Sequence, residues 1–409
     1  GVALSPFLPY LVRGADLPVR DLTLYYYIFL FNTVSTYFVA YKYSLAGAEQ
    51  KNYIQTNIMT VTKIVTVVLQ IIVIMSTKNF YVYLLVAAAV ELAQKIFANA
   101  YLNRLYPYLR GLKLFGAAPG VVPLTAEEKQ TVVTKTKALM LHKIGDTARL
   151  QTDSMIVSAF INVTVTGFVS NYNLVINFVA NFVGVVFNSV ISGFGNLIAT
   201  ENKEKQYLLF RVYRFFACWV YGFSAVGFFI LLTPFVHLWL GADKVLGAVA
   251  VYLLLAEYYF KGDRVVLSNF KTAAGVFVED RYLPLIQGAV SLALSLGLVH
   301  SLGLVGVFLG MVVSGLLANI IRPVIIYRVC FAMKATSYYV DWLKYLAVMI
   351  VALVLCKGAA WFIMKELTLG TFVLTALVIS VVFNVIFVVV FRKSEEFAYL
   401  YGIIARRKS

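Results

Sequence analysis

The 409-residue chain is 61% hydrophobic and only 13% charged. A soluble domain carries about 25% charged residues, so this composition excludes a soluble protein and predicts a polytopic membrane protein. The formal net charge of +16 would suit a nucleic-acid-binding protein. However, most Lys and Arg residues lie in short segments between apolar stretches, where they set membrane orientation, and we therefore expect no nucleic-acid partner.

The apolar stretches predict membrane-spanning helices. They are about 20 residues or longer, whereas the strands of a membrane barrel have about 10 residues of alternating polarity. A first apolar segment from Val2 to Val12 is too short to span, and we expect it to be the end of a helix. Apolar length and turn signals then place eleven spans, near residues 22–46, 53–76, 79–103, 143–162, 165–198, 208–233, 246–275, 283–301, 304–327, 338–364 and 368–391.

The basic residues predict the orientation of these spans. Connections assigned to one side hold most of the Lys and Arg residues, including Arg211, Arg214 and the tail from Arg392 to Lys408. Lys and Arg accumulate on the cytoplasmic side of a membrane, so the C-terminus is predicted to be cytoplasmic.

The longest cytoplasmic connection, residues 104–142, is predicted to be a linker. It contains Pro107, Pro119 and Pro123, and its end, from Thr125 to Lys137, has the pattern of a short amphipathic helix.

Two further features concern the spans themselves. The span 165–198 would be about 51 Å long at 1.5 Å per residue, which predicts a single tilted helix that projects beyond the bilayer. Pro234 is expected to open an outer loop over residues 234–245.

A first polar stripe lies in the span 143–162. Lys143, Asp146, Arg149 and Asp153 follow one another at steps of 3, 3 and 4, which places them on one face of a helix. A charge at mid-membrane costs about 2.5–3.5 kcal/mol, so these side chains are expected to line a water-filled cavity. Asp146 and Asp153 are alternatively internal partners of Arg149, one turn away on either side, and pairing is favoured for Asp146.

A second charged stripe lies in the span 246–275. Glu257, Lys261, Arg264 and Lys271 share a helical face, and Lys63 is a further cation in the middle of the span 53–76. One interpretation is a set of i,i+4 ion pairs, Glu257 with Lys261 first, with Lys271 reaching the membrane surface. The other is that Lys261 and Arg264 line the cavity.

The span 165–198 carries a neutral polar stripe. Such a stripe indicates either cavity lining or helix–helix packing. Its members are Ser170, Asn173, Asn177, Asn181, Gly184, Asn188, Ser192 and Gly195.

The excess of cations over acids within the spans predicts an anionic ligand. A cationic cavity concentrates anions, and a guanidinium group can hold a phosphate through two hydrogen bonds. Catalytic patterns are lacking: His142, His237 and His300 have no metal-ligand spacing, and no phosphate-binding loop indicates ATP hydrolysis. We expect no metal and no cofactor, and we expect the three cysteines, Cys218, Cys330 and Cys356, to be buried thiols.

Several short motifs, in this order, resemble the bacterial polysaccharide transporter family, the Wzx-type flippases of the multidrug/oligosaccharidyl-lipid/polysaccharide exporter superfamily. The motifs are Tyr41-Lys42-Tyr43-Ser44-Leu45, Leu105-Tyr106-Pro107, Lys143-Ile144-Gly145, Thr152-Asp153-Ser154, Ser170-Asn171-Tyr172, Phe187-Asn188-Ser189, Gly195-Asn196-Leu197 and Glu279-Asp280-Arg281. The resemblance covers nearly the whole chain.

The resemblance implies an all-α fold of two six-helix lobes arranged as a V, followed by two further helices. The chain would then start at the end of the third helix of fourteen and contain about eleven complete spans. Residues 1–103 are expected to form a partial N-terminal lobe, 104–142 the linker, 143–327 the C-terminal lobe, and 328–409 the two extra helices and the tail.

The resemblance also implies an activity. It is the movement of undecaprenyl-pyrophosphate-linked oligosaccharide across the bacterial inner membrane by alternating access, for lipopolysaccharide or capsule synthesis. An inward Na⁺ or H⁺ gradient would drive this antiport, membrane lipids would surround the protein, and a polysaccharide polymerase would be a partner.

Candidate roles follow for the polar residues in the spans. Lys63, Arg149, Lys261 and Arg264 are expected to bind phosphates, and Asn173, Asn177 and Asn181 to bind sugar hydroxyls. Asp153, with Asp146 beside it, is the candidate for the coupling ion.

Other functions remain as alternatives. A related exporter of lipid II or of drugs is the alternative within transport, although a cationic cavity does not suit cationic drugs. A polysaccharide polymerase or ligase would be an enzyme, and the short outer loops argue against one. A structural scaffold would turn the ionic stripes towards other subunits.

Overall fold

In a computed structural model, residues 2–12, 14, 18–49, 51–107, 125–276 and 278–406 are described. Every regular element within these ranges is a helix. Together with the apolar length of the helices, this confirms the predicted class, an all-α polytopic membrane protein. The chain divides into two compact units, Gly1–Lys129 (unit 1) and Gln130–Ser409 (unit 2).

Unit 1 is built on the neighbouring helices α4 and α5. Lys78, with a left-handed backbone, ends α4, and the Asn79 side chain caps α5 by accepting from the Tyr81 and Val82 amides. The helices of unit 1 are a 3₁₀ helix Val2–Phe7, α1 (Leu8–Leu11), α2 (Val19–Ser35), α3 (Tyr37–Ala48), α4 (Asn52–Thr77) and α5 (Phe80–Leu105).

Unit 2 contains the remaining helices. Its central element is α9, which packs against α7, α10, α13, α14 and α15. The helices are α6 (Ala126–Ile156), α7 (Val163–Asn188), α8 (Ile191–Thr200), α9 (Lys203–Leu240), α10 (Ala248–Ala274), α11 (Leu283–Leu302), α12 (Leu304–Cys330), α13 (Thr336–Ile363), α14 (Leu369–Phe391) and α15 (Glu395–Arg406), with a π-helical turn at Val157–Ile161 and a 3₁₀ turn at Ala242–Lys244.

Eight helices in the described part of the chain are long and apolar enough to cross a membrane. They include α4, α5, α9 and α11 to α14, and α7 with α8 counts as one of them. The predicted spans at α2–α3, α6 and α10 are not among the eight. The first is broken, and the other two carry the charged stripes.

The helix α6 differs from the expectation of a short amphipathic helix before a separate span. A single helix runs from Ala126 to Ile156. It begins with reciprocal bonds in which the Thr125 amide donates to Glu128 Oε2 at 2.9 Å and the Glu128 amide donates to Thr125 Oγ1. The backbone bond, followed by the side-chain bond from Thr125, lowers the pKa of the Glu128 carboxyl below its usual range. The predicted linker residues 108–124 lie outside the described ranges.

Two predictions about helix continuity were wrong. The span 22–46 is broken at Thr36, whereas the span 165–198 forms one membrane-length helical segment, Val163–Thr200, with a turn at residues 189–190. Pro234 does not open a loop, because α9 continues through it to Leu240. A proline removes only one backbone donor, and a membrane helix with packed neighbours tolerates that loss.

The core of unit 2 is rich in aromatic side chains. Phe210, Phe215 and Tyr221 of α9 are at most 2% exposed, and Phe187 of α7 and Phe270 of α10 are fully buried. The three cysteines are free and buried, as predicted.

Candidate functional site

The charged stripes of α6 and α10 meet in unit 2 at one carboxylate. Arg149 lies in α6, and Glu257 and Arg264 lie two turns apart on one face of α10. Glu257 Oε1 accepts hydrogen bonds from the Nη2 atoms of both arginines. Each of the three residues is no more than 9% exposed, and together they form the Glu257 cluster, with two positive charges and one negative charge.

The helix α12 supplies neutral acceptors to the cluster. Arg149 Nε donates to Ser314 Oγ at 3.3 Å, and Arg264 Nη1 donates to Asn319 Oδ1 at 3.0 Å. The Asn319 side chain is itself held by the Phe260 carbonyl. Since Ser314 and Asn319 lie near the middle of a 27-residue helix that is apolar enough to span, we expect the cluster to lie near mid-membrane depth.

Gly315 lets α12 approach the cluster closely. A Cβ atom at this position would lie 2.4 Å from Glu257 Oε2 and 2.8 Å from a guanidinium nitrogen of each arginine. Any side chain larger than hydrogen would displace these groups, so the glycine is part of the site.

The second oxygen of Glu257 is incompletely satisfied. Oε2 is buried and has no hydrogen-bond donor among the described residues. A buried acceptor without a donor is unfavourable, so the cluster is held by only one of its two carboxylate oxygens.

The other predicted charged residues surround this cluster unequally. Lys261 is exposed, one turn along α10 from Glu257, and Asp153 is partly buried, one turn along α6 from Arg149. The expected i,i+4 pair of Glu257 with Lys261 is replaced by the pairs with the two arginines. The Asp146 side chain lies outside what the structure describes.

The asparagine stripe of α7 lies beside the helix's buried face. That face consists of Val169, Tyr172, Ile176, Ala180, Val183 and Phe187. Asn173 is partly buried, whereas Asn177 and Asn181 are exposed on unit 2.

Lys63 lies in unit 1 and borders a cavity of about 560 Å³. Gln55, Glu91, Gln94 and Lys95 also contribute to the wall. Lys95 is buried and pairs with Glu91 at 3.6 Å, whereas Lys63 is exposed and has no ion pair within the described ranges. Lys63 is therefore the cation of this cavity that is available to an anion.

A second buried network, the Asp280 cluster, was not predicted. Lys271 Nζ donates to both Asp280 carboxylate oxygens at 2.7 Å, and Arg322 Nε donates to Oδ2 at 3.3 Å. The interpretation that Lys271 reaches the membrane surface is wrong, because Lys271 is 5% exposed and bound by Asp280. The acidic motif at residues 279–281, directly after α10, was the available sequence signal.

Arg214 is also buried, contrary to its predicted place in a basic connection. It is 2% exposed within α9. Its guanidinium carbon lies 3.6 Å from the Tyr338 ring centroid, and its Nε atom lies 3.6 Å from Asp263 Oδ1. These contacts join α9, α10 and α13 and give Arg214 a packing role.

A metal site is not indicated by the described side chains. Within the described ranges, no group of three or more His, Cys, Asp or Glu residues is placed to hold a metal ion.

Comparison with known proteins shows the fold. No protein-family model matches the chain, and no curated protein matches it. Four chains of solved structures match. One is "Lipid II flippase MurJ, inward closed conformation", with a TM-score of 0.68 and 12% identity over 96% of this chain and 80% of that chain. At this identity, the likeness establishes that the two chains share a fold.

Proposed function

We propose that this multi-pass membrane protein moves undecaprenyl-pyrophosphate-linked oligosaccharide from the inner to the outer leaflet of the bacterial inner membrane, for lipopolysaccharide or capsule synthesis. The observation that carries the proposal is the Glu257 cluster, in which Arg149 and Arg264 meet with a net charge of +1 at the expected mid-membrane depth. Support also comes from the fold shared with a lipid II flippase.

The cationic side chains suit the lipid headgroup. A guanidinium group can hold phosphate oxygens through paired hydrogen bonds, and a low-dielectric site strengthens such bonds. Arg149 and Arg264 would bind the pyrophosphate, while the polyprenyl tail stays in the bilayer. Lys63, in the cavity of unit 1, is proposed as a separate phosphate-binding residue, and Lys261 lies beside the arginines on α10. Asn173, Asn177 and Asn181 would bind sugar hydroxyls.

The transport cycle is proposed to be alternating access driven by an inward Na⁺ or H⁺ gradient. Asp153, with Asp146 on the same helix, is the proposed coupling residue. The cytoplasmic C-terminus and a polysaccharide polymerase partner belong to the same proposal.

Lipid II export is the second candidate. It is favoured by the fold shared with a solved lipid II flippase. Both substrates present a polyprenyl pyrophosphate, so the glycan distinguishes them.

Transport is favoured over polymerase or ligase activity. Among the described residues after α4, the connections on the predicted outer side are short: Lys78–Asn79, Asn162, the seven residues 241–247, Gly303 and residues 364–368. A catalytic domain has no room in connections of this length.

A flipping assay in proteoliposomes tests the proposal. Fluorescent lipid-linked oligosaccharide and fluorescent lipid II are supplied in separate vesicles, with Na⁺ and pH gradients imposed separately. We expect transfer of the oligosaccharide lipid that depends on one gradient, with slower transfer of lipid II. Faster transfer of lipid II would select the second candidate, and longer glycans on recovered lipid would indicate an enzyme.

Cells give a second test. Arg149→Ala and Arg264→Ala are each expected to reduce surface polysaccharide at normal protein levels, because each removes one phosphate-binding group. Lys344→Ala is the matched control, since Lys344 is exposed and its ion pair with Asp341 is long, at 3.7 Å. Unchanged polysaccharide in both arginine variants would remove the Glu257 cluster from the site.

A further inference from the structure

The Glu257 carboxylate occupies the same two guanidinium groups that a phosphate would need. Both arginines donate to Oε1, and both keep a second, neutral acceptor on α12. A carboxylate and a phosphate offer guanidinium groups the same kind of acceptor oxygen. The two anions therefore compete for one pair of arginines.

The contacts of Glu257 indicate an exchangeable partner. Oε2 lies against Gly315 and has no donor in the described part of the chain, so the carboxylate uses half of its bonding capacity. Removing it leaves Arg149 bonded to Ser314 and Arg264 bonded to Asn319. These two bonds would hold the arginines in position when the carboxylate leaves.

We propose that Glu257 is an internal anion that holds Arg149 and Arg264 in the substrate-free state and is displaced by the phosphate of the bound lipid. The inference rests on the proposed function and names Glu257 as the residue that sets the affinity for the phosphate.

Lys261 supplies a second partner for the displaced carboxylate. It follows Glu257 by four residues on α10 and is exposed, and Glu followed by Lys at this spacing pairs favourably on a helix. In the bound state the Glu257 carboxylate pairs with Lys261, and the phosphate replaces that carboxylate at Arg149 and Arg264.

Equilibrium binding to the full chain in phosphatidylcholine nanodiscs tests the exchange. The probe is fluorescent polyprenyl pyrophosphate, and fluorescent polyprenol without phosphate measures tail binding. Glu257→Gln keeps the size and one acceptor but removes the charge. It is expected to bind the pyrophosphate probe about tenfold more tightly, with polyprenol binding unchanged.

Controls separate competition from structural support. Asp341→Asn removes a carboxylate from a surface pair and is expected to bind the probe as the wild type does. Glu257→Asp retains the charge on a shorter side chain, which weakens the bridge to two arginines. It is expected to lie between the wild type and Glu257→Gln, and it serves as the test if Glu257→Gln does not fold.

The outcomes are distinguishable. Tighter pyrophosphate binding by the Glu257 variants supports the exchange, because loss of a purely structural residue would weaken binding. Equal or weaker binding by both variants, while the wild type binds in an Arg149- and Arg264-dependent manner, overturns the exchange and leaves the proposed function intact. If neither the wild type nor any variant binds the pyrophosphate probe better than polyprenol, both proposals fail.

Discussion

Two buried carboxylates of unit 2 each lie between two cations, and their contacts differ. Both oxygens of Asp280 accept bonds from Lys271, and Arg322 adds a third bond. Glu257 directs both of its cationic partners to one oxygen and leaves the other without a donor among the described residues. The two clusters therefore have similar charges, but the Asp280 carboxylate accepts hydrogen bonds at both oxygens and the Glu257 carboxylate at only one of them.

This difference separates structural support from ligand exchange. A buried ion pair is stabilising only when geometry and additional hydrogen bonds offset desolvation. Asp280, whose side chain is fully buried, meets that condition, and it ties the chain after α10 to α10 and α12. Glu257 meets this condition only in part, because one of its oxygens has no donor among the described residues. Replacing Glu257 by another anion at the two arginines should therefore cost less free energy than replacing Asp280 would.

The largest predicted effect on stability is that of Asp280→Asn. The variant leaves Lys271 and Arg322 without their buried counter-charge and should lose about 3–5 kcal/mol of stability. Thermal unfolding in detergent measures the loss. Asp341→Asn, a change in a partly exposed pair, is expected to stay within about 0.5 kcal/mol of the wild type. An equal small effect of both variants would show that the Asp280 cluster is not a structural support.

Glu257→Gln should destabilise the protein less than Asp280→Asn does. Gln keeps one acceptor oxygen, and Arg149 and Arg264 keep their bonds to Ser314 and Asn319, so the expected loss is about 1–3 kcal/mol. The same unfolding measurement ranks the two variants. Asp280→Asn should have the larger effect on stability, whereas Glu257→Gln should have the larger effect on pyrophosphate binding, because Glu257→Gln gains affinity and Asp280→Asn does not. The same rank in both measurements would mean that the two carboxylates play one role.

Gly315→Ala should have a smaller effect on stability, about 1 kcal/mol, because the added methyl group meets the flexible ends of side chains rather than backbone. It pushes Glu257 Oε2 and the two guanidinium groups away from α12. Gly297→Ala on α11 is the matched control, since a Cβ atom there has nothing within 4 Å. The control should be neutral or slightly stabilising. An equal result for both alanine variants would show that the close approach at Gly315 is unimportant.

Sequence patterns predicted the helices that have long apolar runs with few charged residues. The limits of α4, α5, α11, α13 and α14 were within about two residues, because apolar run length and bilayer thickness determine such helices. The break at Thr36 and the turn at residues 189–190 were not predicted in this way, because neither lies at a Gly or Pro residue. Pro234 led to the wrong prediction of a helix end, because packing around α9 allows the helix to continue through a proline.

The site was predictable only in part. Helical spacing placed Arg149, Glu257 and Arg264 on polar faces, and the cost of buried charge marked Arg149 and Arg264 as candidate site residues. Glu257 was expected only as a local ion-pair partner of Lys261. Spacing within one helix favours local pairs such as Glu257 with Lys261. The observed partner Arg149 is 108 residues away from Glu257, and only tertiary packing brings it there.

Lys261→Gln is expected to have the smallest effect on stability. It is also the most specific test of whether Glu257, unlike Asp280, exchanges its partners. Lys261 is exposed, so Lys261→Gln should leave the melting temperature nearly unchanged. If the displaced Glu257 carboxylate pairs with Lys261, the variant should bind polyprenyl pyrophosphate roughly two- to fivefold more weakly in the wild-type background. In the Glu257→Gln background no carboxylate needs a partner, so the same change should have little effect. A double-mutant cycle measures this dependence. Equal losses in both backgrounds would mean that Lys261 contacts the phosphate directly and does not receive Glu257.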